Sequence, residues 1–142
     1  MEFPFHKNVN SEEETEEIAK LFSGLLMPGD IVLLNGDLGA GKTFFVKSIC
    51  GQFGITSVAS PTFSIVNEYQ NGRNITHFDF YRIKKAEELY DLGFEDYLMN
   101  RESITFIEWS DMFPDILPAR NYTVEITGGM NNSRKISIIK YE

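Results

Sequence analysis

Apolar and polar positions along the 142-residue chain predict an α/β domain built around a strand–loop–helix unit in its first half. Residues 31–34 are a short apolar run, Ile-Val-Leu-Leu, which is typical of a buried strand. Further along, four apolar residues recur at helical spacing, and Gly54 follows as a helix stop; the four are Val46, Ile49, Cys50 and Phe53. The glycines between these two segments therefore lie where a strand turns into a helix.

The segment before this unit is predicted to hold an edge strand and a helix. Residues 3–8 form the strand, and Pro4 is tolerated there because it lies near an edge or an end. Ser11 and Glu14 have the spacing of a capping box, with the serine capping a new helix. The buried stripe of this helix is predicted to consist of Ile18, Leu21, Phe22 and Leu25.

The second half of the chain alternates between short strands and short helices. Asn71-Gly72 is a strong hairpin signal between residues 63–70 and 74–81. The remaining predictions are helices over 84–91 and 94–100, a buried strand over 103–108 and a last hairpin with arms over 122–127 and 135–141. Together these elements predict a mostly parallel central sheet with antiparallel hairpins at its margins.

Residue parity in the second arm of the first hairpin separates two kinds of side chain. Phe78 and Phe80 share one face of the strand, whereas His77, Asp79 and Tyr81 share the other. Asp79 therefore need not enter the core. His77 is expected to be a surface or partly packed residue rather than a metal ligand, since no second histidine or cysteine is near it.

Composition and charge narrow the functional classes. Hydrophobic residues make up 42% of the chain, which is enough for the core of a single domain spanning residues 1–142. The net charge of −8 argues against a protein that grips nucleic acid by its phosphates, because that requires a basic face. No apolar run approaches the length of a membrane span, and Cys50 is the only cysteine. We therefore expect a cytoplasmic protein without a disulfide partner.

Residues 36–43 carry the motif that organises the chain. Their sequence, Gly-Asp-Leu-Gly-Ala-Gly-Lys-Thr, matches G-x-x-x-x-G-K-[ST] at every fixed position. Glycines let the backbone fold around an anion with its N–H groups pointing inward, and the following helix adds a partial positive charge. Lys42 is predicted to reach the β- and γ-phosphates of a nucleotide, and the Thr43 hydroxyl to ligate Mg²⁺.

Two acids are candidates for the chemistry at this loop. Glu108 ends an apolar strand, which is the position of a Walker-B acid that ligates Mg²⁺ or orients the attacking water. A surface carboxylate at a strand end is the alternative. Asp79 could complete the metal shell or act as a base, and a structural salt bridge to Arg82 is nearly as good an explanation.

Two further residues have more than one interpretation. Thr62 follows Ser60-Pro61 in a loop that could close over the γ-phosphate, although Ser-Pro-Thr by itself is merely a turn. Trp109 follows directly after the candidate acid at the strand end. It could contact nucleotide or a partner, and core packing explains it equally well.

Two other classes of P-loop protein are disfavoured by what the sequence lacks. A GTPase of the Ras type would carry N-K-x-D and D-x-x-G, and neither occurs after Lys42. A small-molecule kinase usually carries a lid with several arginines, whereas the arginines here are dispersed. A compact P-loop kinase and a non-hydrolysing, nucleotide-dependent binding subunit are the alternatives to an ATPase.

Four motifs taken together resemble the TsaE family. Residues 36–43, 60–63 (Ser-Pro-Thr-Phe), 77–82 (His-Phe-Asp-Phe-Tyr-Arg) and 108–109 (Glu-Trp) occur in the order and spacing of that family. The resemblance implies a three-layer P-loop fold and an ATPase that binds ATP or ADP with Mg²⁺. It also implies a requirement for the protein in the N6-threonylcarbamoyladenosine modification of tRNA. The implied partners are TsaD, which holds the transferase chemistry, and TsaB, so that tRNA is met only indirectly.

Site residues follow from the match to these motifs. The expected catalytic residues are Lys42, Thr62, Asp79 and Glu108. The expected metal ligands are Thr43 and Glu108. The expected nucleotide-binding residues are Asp37, Leu38, Gly39, Ala40, Gly41, Lys42, Thr43, Phe44 and Trp109.

Overall fold

A mixed sheet of seven strands forms the centre of the computed structural model, which describes residues 1–37, 39–58, 64–128 and 133–142. In chain order the strands are β1 (Phe5–Val9), β2 (Ile31–Gly36), β3 (Val66–Gln70), β4 (Asn74–Asp79), β5 (Ser103–Glu108), β6 (Asn121–Gly128) and β7 (Arg134–Tyr141). The helices are α1 (Glu12–Ser23), α2 (Lys42–Gln52), α3 (Ala86–Asp91) and α4 (Phe94–Met99), with 3-10 turns at Ser110–Met112 and Pro114–Ile116. None of the helices in these ranges is both long and apolar enough to cross a membrane.

The sheet is parallel at its centre and antiparallel at both margins. Its strand order is β1-β7-β6-β2-β5-β4-β3. The strands β6, β2, β5 and β4 run parallel to one another. The strands β1, β7 and β3 pair antiparallel with their neighbours. This topology confirms the predicted α/β fold, and β1 lies at an edge as its sequence predicted.

Helices cover both faces of the sheet, because consecutive side chains of a strand point to opposite sides. On the side that we call the α2 face, Phe45 of α2 belongs to the same buried cluster as Phe106 of β5. On the opposite side, the α3 face, Phe78 and Phe80 pack around Phe94, with ring centroids 5.1 and 5.6 Å away. The two aromatic side chains at the end of the hairpin arm therefore share a face, as their alternation predicted.

The start of α1 confirms the predicted capping signal. The Ser11 hydroxyl accepts a hydrogen bond from the Glu14 amide at 3.2 Å. The Glu14 carboxylate turns back and accepts a hydrogen bond from the Asn10 amide at 2.9 Å. Two backbone donors at the beginning of the helix are thereby satisfied by side chains, which fixes where α1 begins.

The buried stripe of α1 differs from the predicted one. Ile18 and Phe22 are buried, but Leu21 is 59% exposed and Leu25 is 39% exposed. Positions two apart on a helix point about 200° away from each other, so Leu21 faces solvent while Ala19 faces the sheet. Leu25 lies two residues beyond the end of α1, after Gly24, and is therefore not part of the helical stripe.

Gly36 ends β2 at a place where no side chain fits. Its φ angle is 142°, a value that residues with a side chain rarely adopt. A Cβ atom added to Gly36 would lie 1.9 Å from the backbone oxygen of Ile126 in β6. The first glycine of the loop motif is therefore required by the close approach of β6.

We expect Gly36→Ala to lower the free energy of unfolding by about 2 kcal/mol or more, because backbone strain alone costs about 1–3 kcal/mol and the clash adds to it. Urea denaturation measures this loss. The matched control is Gly51→Ala in α2, where an added Cβ meets no described atom within 4 Å. That variant should be neutral or more stable by up to about 1 kcal/mol. Equal stabilities of the two variants would contradict the clash.

Candidate functional site

The carboxyl ends of three parallel strands bring the predicted loop and the predicted acids together. Leu34 of β2 pairs with Glu108 of β5, and Glu108 pairs in turn with Asp79 of β4. The chain leaves β2 directly into the Gly-rich loop, and α2 begins behind that loop at Lys42. The loop, the first turn of α2 and both acids therefore share one edge of the sheet.

Lys42 lies folded against the loop that precedes it. The residue is only 4% exposed, and its Nζ donates hydrogen bonds to the backbone oxygens of Gly36 at 2.9 Å and Asp37 at 2.8 Å. The ring of Trp109 covers the ammonium group, with Nζ 4.0 Å from the ring centroid. The cation is therefore held by two neutral carbonyls and one aromatic face, a contact of the cation–π type.

Opposing influences act on the charge of Lys42. Burial lowers the pKa of the ammonium group below its usual value, because removal from water disfavours the charged form. Nearby carboxylates act in the other direction and favour the cation; they belong to Glu108, Asp79, Asp111 and Asp37. A bound anion would act on the pKa of Lys42 in the same sense as these acids.

Glu108 forms the centre of a buried hydrogen-bonded group. The residue is 2% exposed, and its two carboxylate oxygens accept from the Thr43 hydroxyl at 2.8 and 3.0 Å. The Nε2 atom of His77 lies 2.5 Å from Oε2 of the same carboxylate. A histidine nitrogen that carries a proton donates to a carboxylate at this distance, so the contact is a hydrogen bond when Nε2 is the protonated nitrogen. The predicted Walker-B acid therefore contacts the threonine that was predicted to share its metal ion.

The prediction that His77 is a surface or partly packed side chain is wrong. The residue is 0% exposed, because β4 has a neighbouring strand on each side and Glu108 lies beside it on the α2 face. Its Nδ1 atom is buried without a hydrogen-bond partner among the residues that the structure describes. Strand parity was the available signal, since it placed His77 on the same face as Asp79.

Asp79 ends β4 beside Glu108 but has different surroundings. It is half-buried, and its Oδ1 atom accepts a hydrogen bond from the Tyr81 amide at 2.9 Å, which stabilises the turn after the strand. Its charge also acts on Lys42. Asp79 is therefore within electrostatic reach of the loop while one of its oxygens holds the local backbone.

The segment after β5 fixes Trp109 over the loop. The φ angle of Trp109 is 59°, and its amide donates to the backbone oxygen of Leu34 at 2.9 Å. The Asn35 side-chain oxygen accepts from the Ser110 hydroxyl at 2.7 Å, which ties β2 to this turn. The indole also lies 4.9 Å from the ring of Tyr81 and packs at the margin of the α3-face core. Trp109 therefore contacts the loop and also packs against the core.

A cleft of about 400 Å³ opens beside the loop. Its lining residues are Asn10, Ser11, Glu12, Thr15, Gly39, Gly41, Phe44 and Arg134. The Nε atom of Arg134 donates to the backbone oxygen of Ala40 at 3.1 Å. Sequence reasoning missed Arg134 because these two residues are 94 positions apart and meet only through the sheet. The volume is in the range of pockets for small organic ligands.

The structure places most of the predicted nucleotide-binding residues at this edge. Gly39, Gly41 and Phe44 line the cleft. Lys42, Thr43 and Trp109 lie at the same end of the sheet, in the contacts described above. Leu38 and Thr62 lie outside the described residues, so their predicted roles stay predictions.

The oxygen atoms at this edge fit Mg²⁺. The Thr43 hydroxyl and the Glu108 carboxylate are 2.8 Å apart, and Mg²⁺ is usually held by one or two carboxylates together with phosphate oxygens and water. In the described ranges, no group of three or more His, Cys, Asp or Glu side chains could hold a metal ion. A magnesium ion here would therefore depend on ligand phosphates for part of its coordination.

Comparisons with known proteins cover nearly the whole chain. The sequence profile of the family described as "Threonylcarbamoyl adenosine biosynthesis protein TsaE" matches residues 9–136. The chain is 47% identical over 137 residues to the tRNA threonylcarbamoyladenosine biosynthesis protein TsaE of Rickettsia typhi, covering 93% of this chain and 92% of that protein. It is 38% identical over 127 residues to the Bacillus subtilis protein of the same name, covering 88% and 78%. The crystal structure of Bacillus subtilis YdiB is similar, with a TM-score of 0.80 and 29% identity over 100% of this chain and 88% of that one.

The contact between Lys42 and Trp109 can be tested without any ligand. We expect Lys42→Met to change the intensity or the maximum of tryptophan emission, because the ammonium group lies against the only indole of the protein. Lys47→Met is the control, since Lys47 is exposed on the same helix. Identical spectra for Lys42→Met and the unmodified protein would contradict the contact.

Proposed function

Because this chain belongs to the TsaE family of threonylcarbamoyl adenosine biosynthesis proteins, we propose that it binds ATP and hydrolyses it with Mg²⁺ in support of tRNA threonylcarbamoyladenosine biosynthesis. One observation carries the proposal. The Thr43 hydroxyl and the Glu108 carboxylate meet at the ends of parallel strands, directly behind a complete phosphate-binding motif. In P-loop NTPases, the loop serine or threonine and a Walker-B acid occupy these two positions around Mg²⁺.

The loop supplies the charge and the donors that phosphate oxygens require. The N-terminus of α2 presents unpaired N–H groups and a partial positive charge. On binding, the Lys42 ammonium group leaves the backbone oxygens of Gly36 and Asp37 and donates to phosphate oxygens instead. The phosphate adds an ionic attraction that neutral carbonyls lack. The cleft between Phe44 and Arg134 lies next to the loop and takes the base and the ribose.

Thr43 and Glu108 would provide oxygens to hold Mg²⁺, which would supply positive charge against the phosphoryl group. The Thr43 hydroxyl would ligate the ion through an oxygen lone pair while its proton stays on the Glu108 carboxylate, since a hydroxyl has one proton and two lone pairs. Glu108 or Asp79 orients the attacking water, because both carboxylates end neighbouring parallel strands.

The partner that we propose is a complex of the TsaD–TsaB type, and tRNA is met only through it. The chain has 21 acidic and 13 basic residues, so it lacks the excess of cations that phosphate contacts with RNA require. In this role the chain binds a partner protein and changes the state of that partner with each cycle of nucleotide binding and hydrolysis.

Steady-state release of free phosphate from ATP is the experiment that tests the proposed activity. A phosphorylated small molecule in place of free phosphate would indicate a kinase. Nucleotide binding without any turnover, in the presence and absence of the partner complex, would indicate a non-hydrolysing binding subunit.

We expect Lys42→Ala to weaken nucleotide binding by about ten- to a hundredfold, because a hydrogen bond to a charged group is worth about 1.5–3 kcal/mol. Isothermal titration calorimetry with ADP measures the loss. Lys47→Ala removes an exposed lysine from the same helix and should bind normally. Unchanged affinity in folded Lys42→Ala protein would disprove the assignment of the loop.

Glu108→Gln should impair Mg²⁺-dependent hydrolysis by about tenfold or more while leaving nucleotide binding in EDTA unchanged, since the amide keeps the shape and loses the charge. A Mg²⁺ titration of phosphate release measures this difference. Asp115→Asn is the control, because Asp115 is an exposed carboxylate in the second 3-10 turn after β5 and is not among the acids that act on Lys42. Normal turnover of Glu108→Gln at all Mg²⁺ concentrations would reduce Glu108 to a carboxylate at a strand end.

Association with a TsaD–TsaB complex is expected to depend on nucleotide and to accelerate hydrolysis. Thermodynamic linkage requires that the partner change nucleotide affinity by the same factor as nucleotide changes partner affinity. Pull-down with ATP, ADP or no nucleotide measures the first effect, and calorimetry with and without the partner measures the second. Tight tRNA binding by the isolated chain at physiological salt, or association that ignores nucleotide, would contradict this role.

A further inference from the structure

His77 is a buried polar residue that the mechanism above does not use. It is 0% exposed in an internal strand, and its Nε2 atom lies 2.5 Å from Oε2 of Glu108. Its Nδ1 atom has no hydrogen-bond partner among the described residues. Burying a ring nitrogen without a partner costs free energy, so an apolar side chain would serve packing better at this position. The contact with Glu108 is what a histidine adds here.

We propose that His77 is a positioning residue that fixes the Glu108 carboxylate in the orientation needed for metal and water binding. This inference rests on the proposed ATPase function, because it assigns a second residue to the Glu108 site. His77 itself touches neither the nucleotide nor the reacting atoms in this role.

The role follows from how the two contacts of Glu108 hold its carboxylate. The Thr43 hydroxyl donates to both carboxylate oxygens from α2. A hydroxyl has one proton and two lone pairs, so Thr43 would be able to ligate Mg²⁺ and still donate to Glu108. That single proton fixes the distance to the carboxylate but is shared between the two oxygens, whereas the His77 contact from β4 involves Oε2 alone. The imidazole therefore distinguishes the two oxygens and fixes the rotation of the carboxylate about its own axis.

The backbone holds His77 firmly enough for this purpose. His77 pairs with Phe106 of β5 on one side and with Asn67 of β3 on the other. Glu108 is the last residue of β5 and is paired with both β2 and β4. Both side chains therefore project from strands in the sheet, where their relative position is less variable than between loop residues.

Two polar variants of similar size separate the role in positioning from a role in packing. His77→Gln places its amide nitrogen about where Nε2 lies, whereas the shorter His77→Asn places it about where Nδ1 lies. We expect kcat of His77→Asn to fall about tenfold or more, with ADP affinity in EDTA unchanged, and His77→Gln to recover most of the loss. Thr76→Val, a buried change on the opposite face of the same strand, is the control for general destabilisation.

A double-mutant cycle tests whether His77 acts through Glu108. In the Glu108→Gln background, His77→Asn should cause no further loss of kcat, because the carboxylate that it orients is gone. Losses that multiply, or equal turnover by folded His77→Gln and His77→Asn, would overturn the inference. If His77→Asn does not fold, loss of turnover in folded His77→Gln to the level of Glu108→Gln would overturn it as well.

A measurement on the ligand-free protein completes the test. Imidazole nitrogen chemical shifts should show a proton on Nε2 of His77, and Glu108→Gln should alter the His77 signals. The only other histidine, His6, is exposed and serves as the internal reference. His77 signals that do not respond to Glu108→Gln would refute the contact. If the unmodified protein releases no phosphate from ATP, the proposed function fails; if it does and the His77 variants turn over normally, this inference alone fails.

Discussion

The parallel pairing of β2 with β5 is the constraint on which the site depends. Its register places Leu34 opposite Glu108, so the strand that leads into the loop ends beside the strand that carries the acid. A slip of one residue would turn Glu108 to the α3 face, because successive side chains of a strand alternate. Gly36 is held from the other side by β6. The position of the loop is therefore set by its two neighbouring strands as well as by its own sequence.

Around this edge, the charged and polar groups are buried in contact with one another. Lys42 donates to loop carbonyls under Trp109, and Thr43 and His77 meet at Glu108. Such burial is costly for each group alone, and hydrogen bonds within the set offset much of that cost. Compensation is incomplete at Lys42, whose pKa is lowered, and at the Nδ1 atom of His77, which has no hydrogen-bond partner in the described part of the chain. Incomplete compensation is typical of sites that are built to receive a ligand.

Sequence patterns predicted most of the fold because many of its features depend only on neighbours in sequence. Examples are the capping of α1, the strand before the loop and the alternation around Phe78. The motif likewise predicted Lys42 and Thr43 at one site, and the position of Glu108 at a strand end predicted that it lies beside them. The burial of His77 and the contact of Arg134 with the loop arise from strands that are distant in sequence. The spacing of apolar and polar residues within one element does not predict such contacts. The exposed Leu21 has a different cause, since a small residue, Ala19, lies on the buried side of α1.

Trp109 connects the loop to a second part of the molecule. Its ring lies over Lys42, contacts Tyr81 and packs at the margin of the α3-face core. In the proposed function, a bound nucleotide would draw the Lys42 ammonium group away from its carbonyl partners. The indole of Trp109 would then lose one of the contacts that hold it. The surface around Tyr81, which is 48% exposed, then differs between the free and the bound protein. A partner that binds this surface in only one of the two states must change nucleotide affinity in return, because the two equilibria share the same protein states.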